Sequence, residues 1–171
     1  MKTPRLLSVS LVALAVTLPA VAAPETAKPD TSRIQVTYVD PEKFTDVKDD
    51  YFGTEKGRDN YLDQLKEYIV ERANRRLPAG QTLSVSVTDI DMAGDFEPWR
   101  GPTFNDVRIV KDIYPPRIDL SFKITGADGK VVAEGKRELR DLSFLMNLSI
   151  DRQDPLRHEK NLLDDWMRRD L

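Results

Sequence analysis

Apolar and polar residues alternate one for one in three stretches of the chain, and in two others apolar residues recur at three- and four-residue steps. In Arg33–Val39, Ile34, Val36 and Tyr38 fall on one side and Gln35 and Thr37 on the other, which is the pattern of a strand with one buried face. Thr82–Thr88 repeats it with Leu83, Val85 and Val87 inward; the alternation slips at Ile90, which predicts a bulge or the end of the strand. Arg117–Thr125 is the cleanest case, with Ile118, Leu120, Phe122 and Ile124 facing one way and Asp119, Ser121 and Lys123 the other. The turn residues Gly126-Ala127-Asp128-Gly129 then predict a hairpin that returns through Lys130–Glu138. Helical spacing governs Arg58–Leu77, where Tyr61, Leu62, Leu65, Tyr68, Ile69, Ala73 and Leu77 form one stripe that Pro78 and Gly80 terminate. Arg72 lies near the middle of that stripe; a stem along the apolar surface with its head in water is the first reading, a buried ion pair the second.

The segments between these elements are less regular. Asp40-Pro41 closes the first strand, and Glu42–Gly57 reads as a polar connector anchored by Phe44, Tyr51 and Phe52. Gly94–Arg117 is a long connection dense in proline and aromatics, with a short strand around Val107–Val110. Leu139–Ile150 is apolar without a clean period and is read as a short helix opening at Asp141. Asp154-Pro155 predicts a helix cap followed by proline at the first helical position, with Leu156, Leu162, Leu163, Trp166 and Met167 as the apolar side. The order strand, helix, strand, long loop, strand, strand, helix predicts an α+β fold. It would be a single-domain two-layer sandwich, an antiparallel or mixed sheet of about four strands with two main helices on one face.

The first residues change the picture of where the protein works. Met1–Arg5 is short and basic, Leu6–Leu18 is apolar, and Ala20-Val21-Ala22 follows Pro19. A basic start, an apolar middle and small residues at the cut define a secretory signal peptide. Its apolar run of about 13 residues falls short of the roughly 20 that span a bilayer. We therefore expect cleavage near Ala22, a flexible leader over residues 23–32, and a single domain over 33–171 in the periplasm or secreted from a Gram-negative cell. No membrane span is expected after the leader is removed. The chain has no cysteine, which excludes a lipid-anchored lipoprotein and a disulfide framework. The leader takes two of the 26 basic residues and none of the 29 acidic ones, so the net charge moves from −3 to −5. With both signs interleaved, this is a solvated surface, not the concentrated basic face of a nucleic-acid partner. A monomer is the working expectation.

Candidate chemistry is sparse. There is no G-x-S-x-G elbow, and the lone His158 in the first turn of the last helix is read as a surface or boundary residue. One histidine and no cysteine argue against zinc, and no cofactor is expected. Asp89, Asp91, Asp95 and Glu97 cluster, but an EF-hand register fails at Ala93 and at Arg100, where a bidentate Glu is needed. These four carboxylates support an alternative reading as a hydrolase of envelope or imported substrates. The stronger candidate is the loop itself, GDFEPWRGP followed by IYPPR, because long loops in compact domains are usually functional and Trp and Arg dominate binding hot spots. Asp95, Glu97, Trp99, Arg100, Tyr114 and Arg117 are the candidate binding residues, for an envelope protein or a small ligand. The competing reading packs the loop's aromatics back onto the sheet.

The strings VTYVDPEKFTD, GDFEPWRG, VRIVKDIYPPRIDLSF, EGKRELRDL and DPLRHEKNLLDDW resemble the domain of unknown function 3016 family, exported proteins of Gram-negative bacteria. The likeness runs from about Ile34 to the C-terminus. It implies export and a single domain, and it supplies no activity, cofactor or catalytic residue.

Overall fold

The computed structural model describes residues 33–147 and 152–171; the expected signal peptide and leader, and the end of the helix expected from Asp141, lie outside the described residues. A four-stranded sheet is built from β1 (Ile34–Tyr38), β2 (Thr82–Asp91), β5 (Arg117–Thr125) and β6 (Val131–Arg140), in the spatial order β1-β2-β5-β6. β1 runs parallel to β2, with Ile34 opposite Leu83 and Tyr38 opposite Val87; the other pairs are antiparallel, so the sheet is mixed. A parallel pair needs a crossover, and α1 (Glu55–Arg76) supplies it. The slip at Ile90 is a bulge between Val87 and Asp89, beyond which β2 continues to Asp91.

α1 starts three residues earlier than its apolar stripe predicts. The Thr54 hydroxyl accepts the Gly57 N–H (2.9 Å), and the Asp49 carboxylate in turn accepts from the Thr54 amide and hydroxyl (3.0 and 2.9 Å). A side-chain cap of this kind satisfies amides that the first turn cannot, so the helix extends into polar sequence. At the other end Arg33 clamps the start of β1 to the helix terminus through Asn74 and the Pro78 carbonyl.

Leu62, Leu65, Ile69 and Ala73 of α1 meet Leu83, Val85, Ile118, Leu120 and Ile124 of the sheet in one core. α2 (Arg157–Asp170) adds Leu162, Leu163, Trp166 and Met167, and Trp166 packs edge-on against Phe122 (centroids 5.7 Å apart). Asp154 does serve the start of α2, accepting the Leu156 N–H (2.9 Å) and pairing with Lys160, but Pro155 sits in the turn before the helix. Arg72 reconciles its two readings: half-exposed, it lies over Tyr68 and approaches Asp164 at 4.0 Å. The helices cover one face of the sheet. The other face carries Ser84, Ser86, Ser121, Lys123, Glu134 and Lys136 and lies open.

Several expectations need correcting. Phe44 packs on Tyr38, but Tyr51 and Phe52 are exposed and stack edge-on with each other, so the connector has one anchor among the three aromatics. β6 runs to Arg140 instead of ending at Glu138, and a 3-10 turn at Phe144–Met146 stands where a helix from Asp141 was expected. His158 is 6% exposed, not a surface residue; its ring packs edge-on against Phe144, and neither nitrogen has a hydrogen-bond partner among the described residues. The apolar pattern of α2 placed His158 at the edge of the helix, and the turn carrying Phe144 closes over that edge.

Candidate functional site

The long loop begins where β2 ends. A two-stranded ribbon, β3 (Asp95–Phe96) with β4 (Arg108–Ile109), forms its stem, and β4 occupies the two central residues of the short strand expected around Val107–Val110. Gly94 starts the ribbon at φ 81° with its N–H on the Tyr114 carbonyl (3.0 Å), and a Cβ there would lie 2.8 Å from the Ile109 oxygen. Only glycine fits both constraints. Gly94→Ala is expected to destabilise the protein by about 2 kcal/mol, measured as a lowered urea midpoint; no change would mean the ribbon is not held at this point.

Arg108 ties the ribbon to the connector. Its guanidinium donates to both oxygens of Asp46 (2.7 and 3.2 Å) and to the Gly94 and Lys48 carbonyls, while its central carbon lies over the Phe96 ring, 4.6 Å from the ring centre. The connector itself enters the sheet edge, the Asp46 amide reaching the Ile90 carbonyl and the Met92 amide reaching Asp46. Beneath the ribbon, Glu159 is fully buried in the first turn of α2; one carboxyl oxygen accepts the Ala93 N–H (2.7 Å) and the other has no partner among the described residues. Burial pushes its pKa up to about 7.

Beyond the ribbon the chain folds around Glu97, which is 1% exposed. Its carboxylate pairs with Lys111 and Arg100 and lies 3.3 Å from the Tyr114 hydroxyl. The Lys111 and Arg100 hydrogen bonds hold it below the usual carboxylate range, and burial together with the Glu97 charge pushes the Tyr114 phenol up. Glu97 is thus the internal tie of the loop. Trp99, held in the 3-10 turn Pro98–Arg100 right after it, is 71% exposed. The competing reading, in which Trp99 caps the sheet, fails for this residue. Phe104 and Val107 are also exposed, and the Tyr51 amide bonds the Asn105 carbonyl (3.0 Å), which brings exposed Tyr51 and Phe52 alongside. Next to them a cleft of about 490 Å³ opens between the connector and the start of α1, lined by Phe44, Val47, Lys48, Phe52 and Arg58.

The predicted site residues therefore divide. Glu97, Arg100 and Tyr114 come together, with Trp99 displayed beside them. Asp95 turns back to accept its neighbour's amide at Phe96 (2.7 Å). Arg117 belongs to another network on the open face of the sheet, pairing with Asp89 (2.6 Å) and Asp119 (3.5 Å), while Thr45 donates twice to Asp89. The four carboxylates of the hydrolase reading are likewise engaged separately: Asp89 by Arg117, Glu97 by Lys111 and Arg100, Asp95 by its own loop. The Asp91 carboxyl is pushed up by burial and by Asp46. Among the described residues no group of three or more histidines, cysteines or acids is arranged to hold a metal ion.

A family model described as a protein of unknown function (DUF3016) matches residues 32–169. The chain belongs to the DUF3016 family. Neither a curated protein nor a solved structure matches it. The DUF3016 match spans the sheet, both helices and the loop, so the Trp99 surface lies inside the family domain. Lys111, Arg108, Asp46 and Glu159 were not singled out from the sequence. The three-residue spacing of Glu97 and Arg100 could have signalled the tie, but nothing local connects Asp46 to an arginine 62 positions away.

Proposed function

We propose that this protein is a non-catalytic binding module of the bacterial periplasm, exported by its signal peptide and using the 94–117 loop to engage an envelope protein or a small ligand. The observation that carries the reading is the exposure of Trp99 on a loop tied together through Glu97 and Arg108. Glu97 holds Arg100, Lys111 and Tyr114, and Arg108 fixes the stem, so the indole is displayed from a prepaid scaffold and little ordering is left for binding to impose. Exposed Phe104, Val107, Phe52 and Tyr51 extend the surface toward the cleft, in the manner of an aromatic anchor with apolar surroundings.

Trp99→Ala should leave stability within about 0.5 kcal/mol, because the side chain makes few contacts. It should weaken binding by at least about tenfold. The check is tryptophan fluorescence and thermal melting of the mature chain, titrated with muropeptides, phospholipids and sugars and followed by cross-linking in envelope extracts. A saturable blue shift of Trp99 with a raised melting temperature supports the reading, since binding to the folded state stabilises by mass action. If Trp99→Ala combined with Arg100→Ala leaves every ligand and cross-linked partner unchanged, the reading is wrong.

A further inference from the structure

We infer that β6 is a self-complementary dimerisation edge, on which a second copy of this chain adds its own β6 antiparallel to form a continuous eight-stranded sheet. Among the described residues β6 pairs only with β5, so one row of its backbone groups has no strand partner. Natural edges of this length are blunted by proline, by a bulge or by charged side chains, which turn away a strand of unmatched charge. β6 has no proline, and its one register irregularity lies at the Thr125–Val131 pair, leaving Glu134–Arg140 regular.

The charges along that segment select one partner. Register with β5 puts Glu134, Lys136, Glu138 and Arg140 on the open face, opposite Lys123, Ser121, Asp119 and Arg117, and all four are exposed. A two-fold axis perpendicular to the sheet keeps faces matched, so the axis must pass through a residue. Centred on Arg137, it sets Lys136 against Glu138 and Glu134 against Arg140, each twice, so that every charged pair on the open face is of opposite sign. Moving the centre by one residue brings Lys136 against itself and Glu134 against Glu138, or Glu138 against itself and Lys136 against Arg140. Centring on Gly135 pairs Glu134 with Lys136 alone, leaving Glu138 opposite Val132 and Arg140 beyond the start of the strand at Val131, and centring on Leu139 pairs Glu138 with Arg140 alone. Directly opposed like charges destabilise a strand pair and opposite charges support it, so one register stands out.

The helix-side face fits the same axis. Two Arg137 side chains meet at the centre, but each is turned onto Asp170 (3.0 and 2.6 Å) and lies over Phe122 (5.1 Å). Gly135, where a Cβ would come 2.7 Å from the Arg137 guanidinium, opposes Leu139 of the second copy, small against large. A strand pair alone buries less than a typical stable interface, so the dimer is concentration-dependent, and salt weakens it. The monomer expected from the sequence is then its dilute form.

Sedimentation velocity on the mature chain across a concentration series tests this. Wild type should pass from monomer to dimer. Lys136→Glu alone and Glu138→Lys alone each create two like-charge pairs and should weaken the dimer by about tenfold or more, with circular dichroism confirming that both fold. An equimolar mixture of the two single variants restores every opposite pair and should dimerise where neither does alone; the double variant Lys136→Glu/Glu138→Lys should dimerise like wild type. A wild type that stays monomeric up to about 1 mM, single variants that dimerise as wild type does, or a mixture that stays monomeric would each overturn the inference.

Discussion

Arg108→Ala is expected to lower stability by about 3–5 kcal/mol, because it breaks a largely buried ion pair and leaves the other charge behind. The guanidinium makes four hydrogen bonds, two to Asp46 and one each to the Gly94 and Lys48 carbonyls. Alanine removes all four and strands the Asp46 carboxylate beside Asp91, whose own carboxyl is already pushed up by burial and by Asp46. Arg108→Lys should recover only part of the loss, since an ammonium cannot reach both Asp46 oxygens in a fork while also donating to the Gly94 and Lys48 carbonyls. Removing both charges, as Asp46→Leu/Arg108→Met, should cost less than Arg108→Ala alone, because no unpaired charge remains. Urea unfolding near neutral pH gives the free energies, and an unchanged slope confirms that whole-domain stability is being read. A loss below about 1 kcal/mol for Arg108→Ala would place the pair with solvent-screened surface ion pairs. The loop would then have to be held by Glu97 alone.

That ion pair also marks the limit of what the chain discloses as a sequence. Strand and helix faces were legible because their periods are local: Ile118, Leu120, Phe122 and Ile124 alternate, and Leu62, Leu65, Ile69 and Ala73 keep helical step, so each core position follows from its neighbours. The bulge was legible for the same reason. The early start of α1 was not, because it depends on Thr54 and Asp49 and leaves no apolar signal. In the site, the loop's length and composition pointed to the right segment. Its sorting into a buried tie at Glu97 and a displayed Trp99 depends on Lys111 and Tyr114 returning from 14 and 17 residues away. Arg117 looked like part of the loop because it is adjacent in sequence, yet it is the first residue of β5, and strand alternation turns its side chain to the open face with Asp89. Phe52 was read as an anchor from residue type alone; a large apolar side chain prefers burial, but only tertiary packing provides the place, and Phe52 is left 77% exposed beside Tyr51.

The neighbours His158 and Glu159 give the second large prediction, because their titrations act on stability with opposite sign. Burial raises the Glu159 carboxyl from 4.5 to about 7. The folded state therefore holds that proton more tightly than the unfolded chain, and the stability associated with it is full below about pH 4.5 and lost as pH rises to about 7. The amount is about 3 kcal/mol as an upper figure. For His158, burial first and then the Arg157 charge lower the imidazole from 6.5 to about 4. Its folded state resists protonation, so stability is full above about pH 6.5 and lost as pH falls toward 4. Between about pH 4.5 and 6.5 the two slopes oppose each other, and wild type should be flatter than either single variant. Glu159→Gln keeps an oxygen for the Ala93 amide and removes the carboxyl's titration, so its urea midpoint should rise with pH across that window relative to wild type. His158→Leu should do the reverse and fall. Other carboxylates contribute a background common to all three proteins, so the differences between profiles carry the test. Because Glu159 holds Ala93 at the root of the ribbon, its ionisation above pH 7 should also speed amide exchange at Gly94 and Phe96 before the core exchanges. Three parallel pH profiles would show that neither group titrates differently in the folded and unfolded chains, and that water reaches both where the packing of Phe144 and Ala93 excludes it.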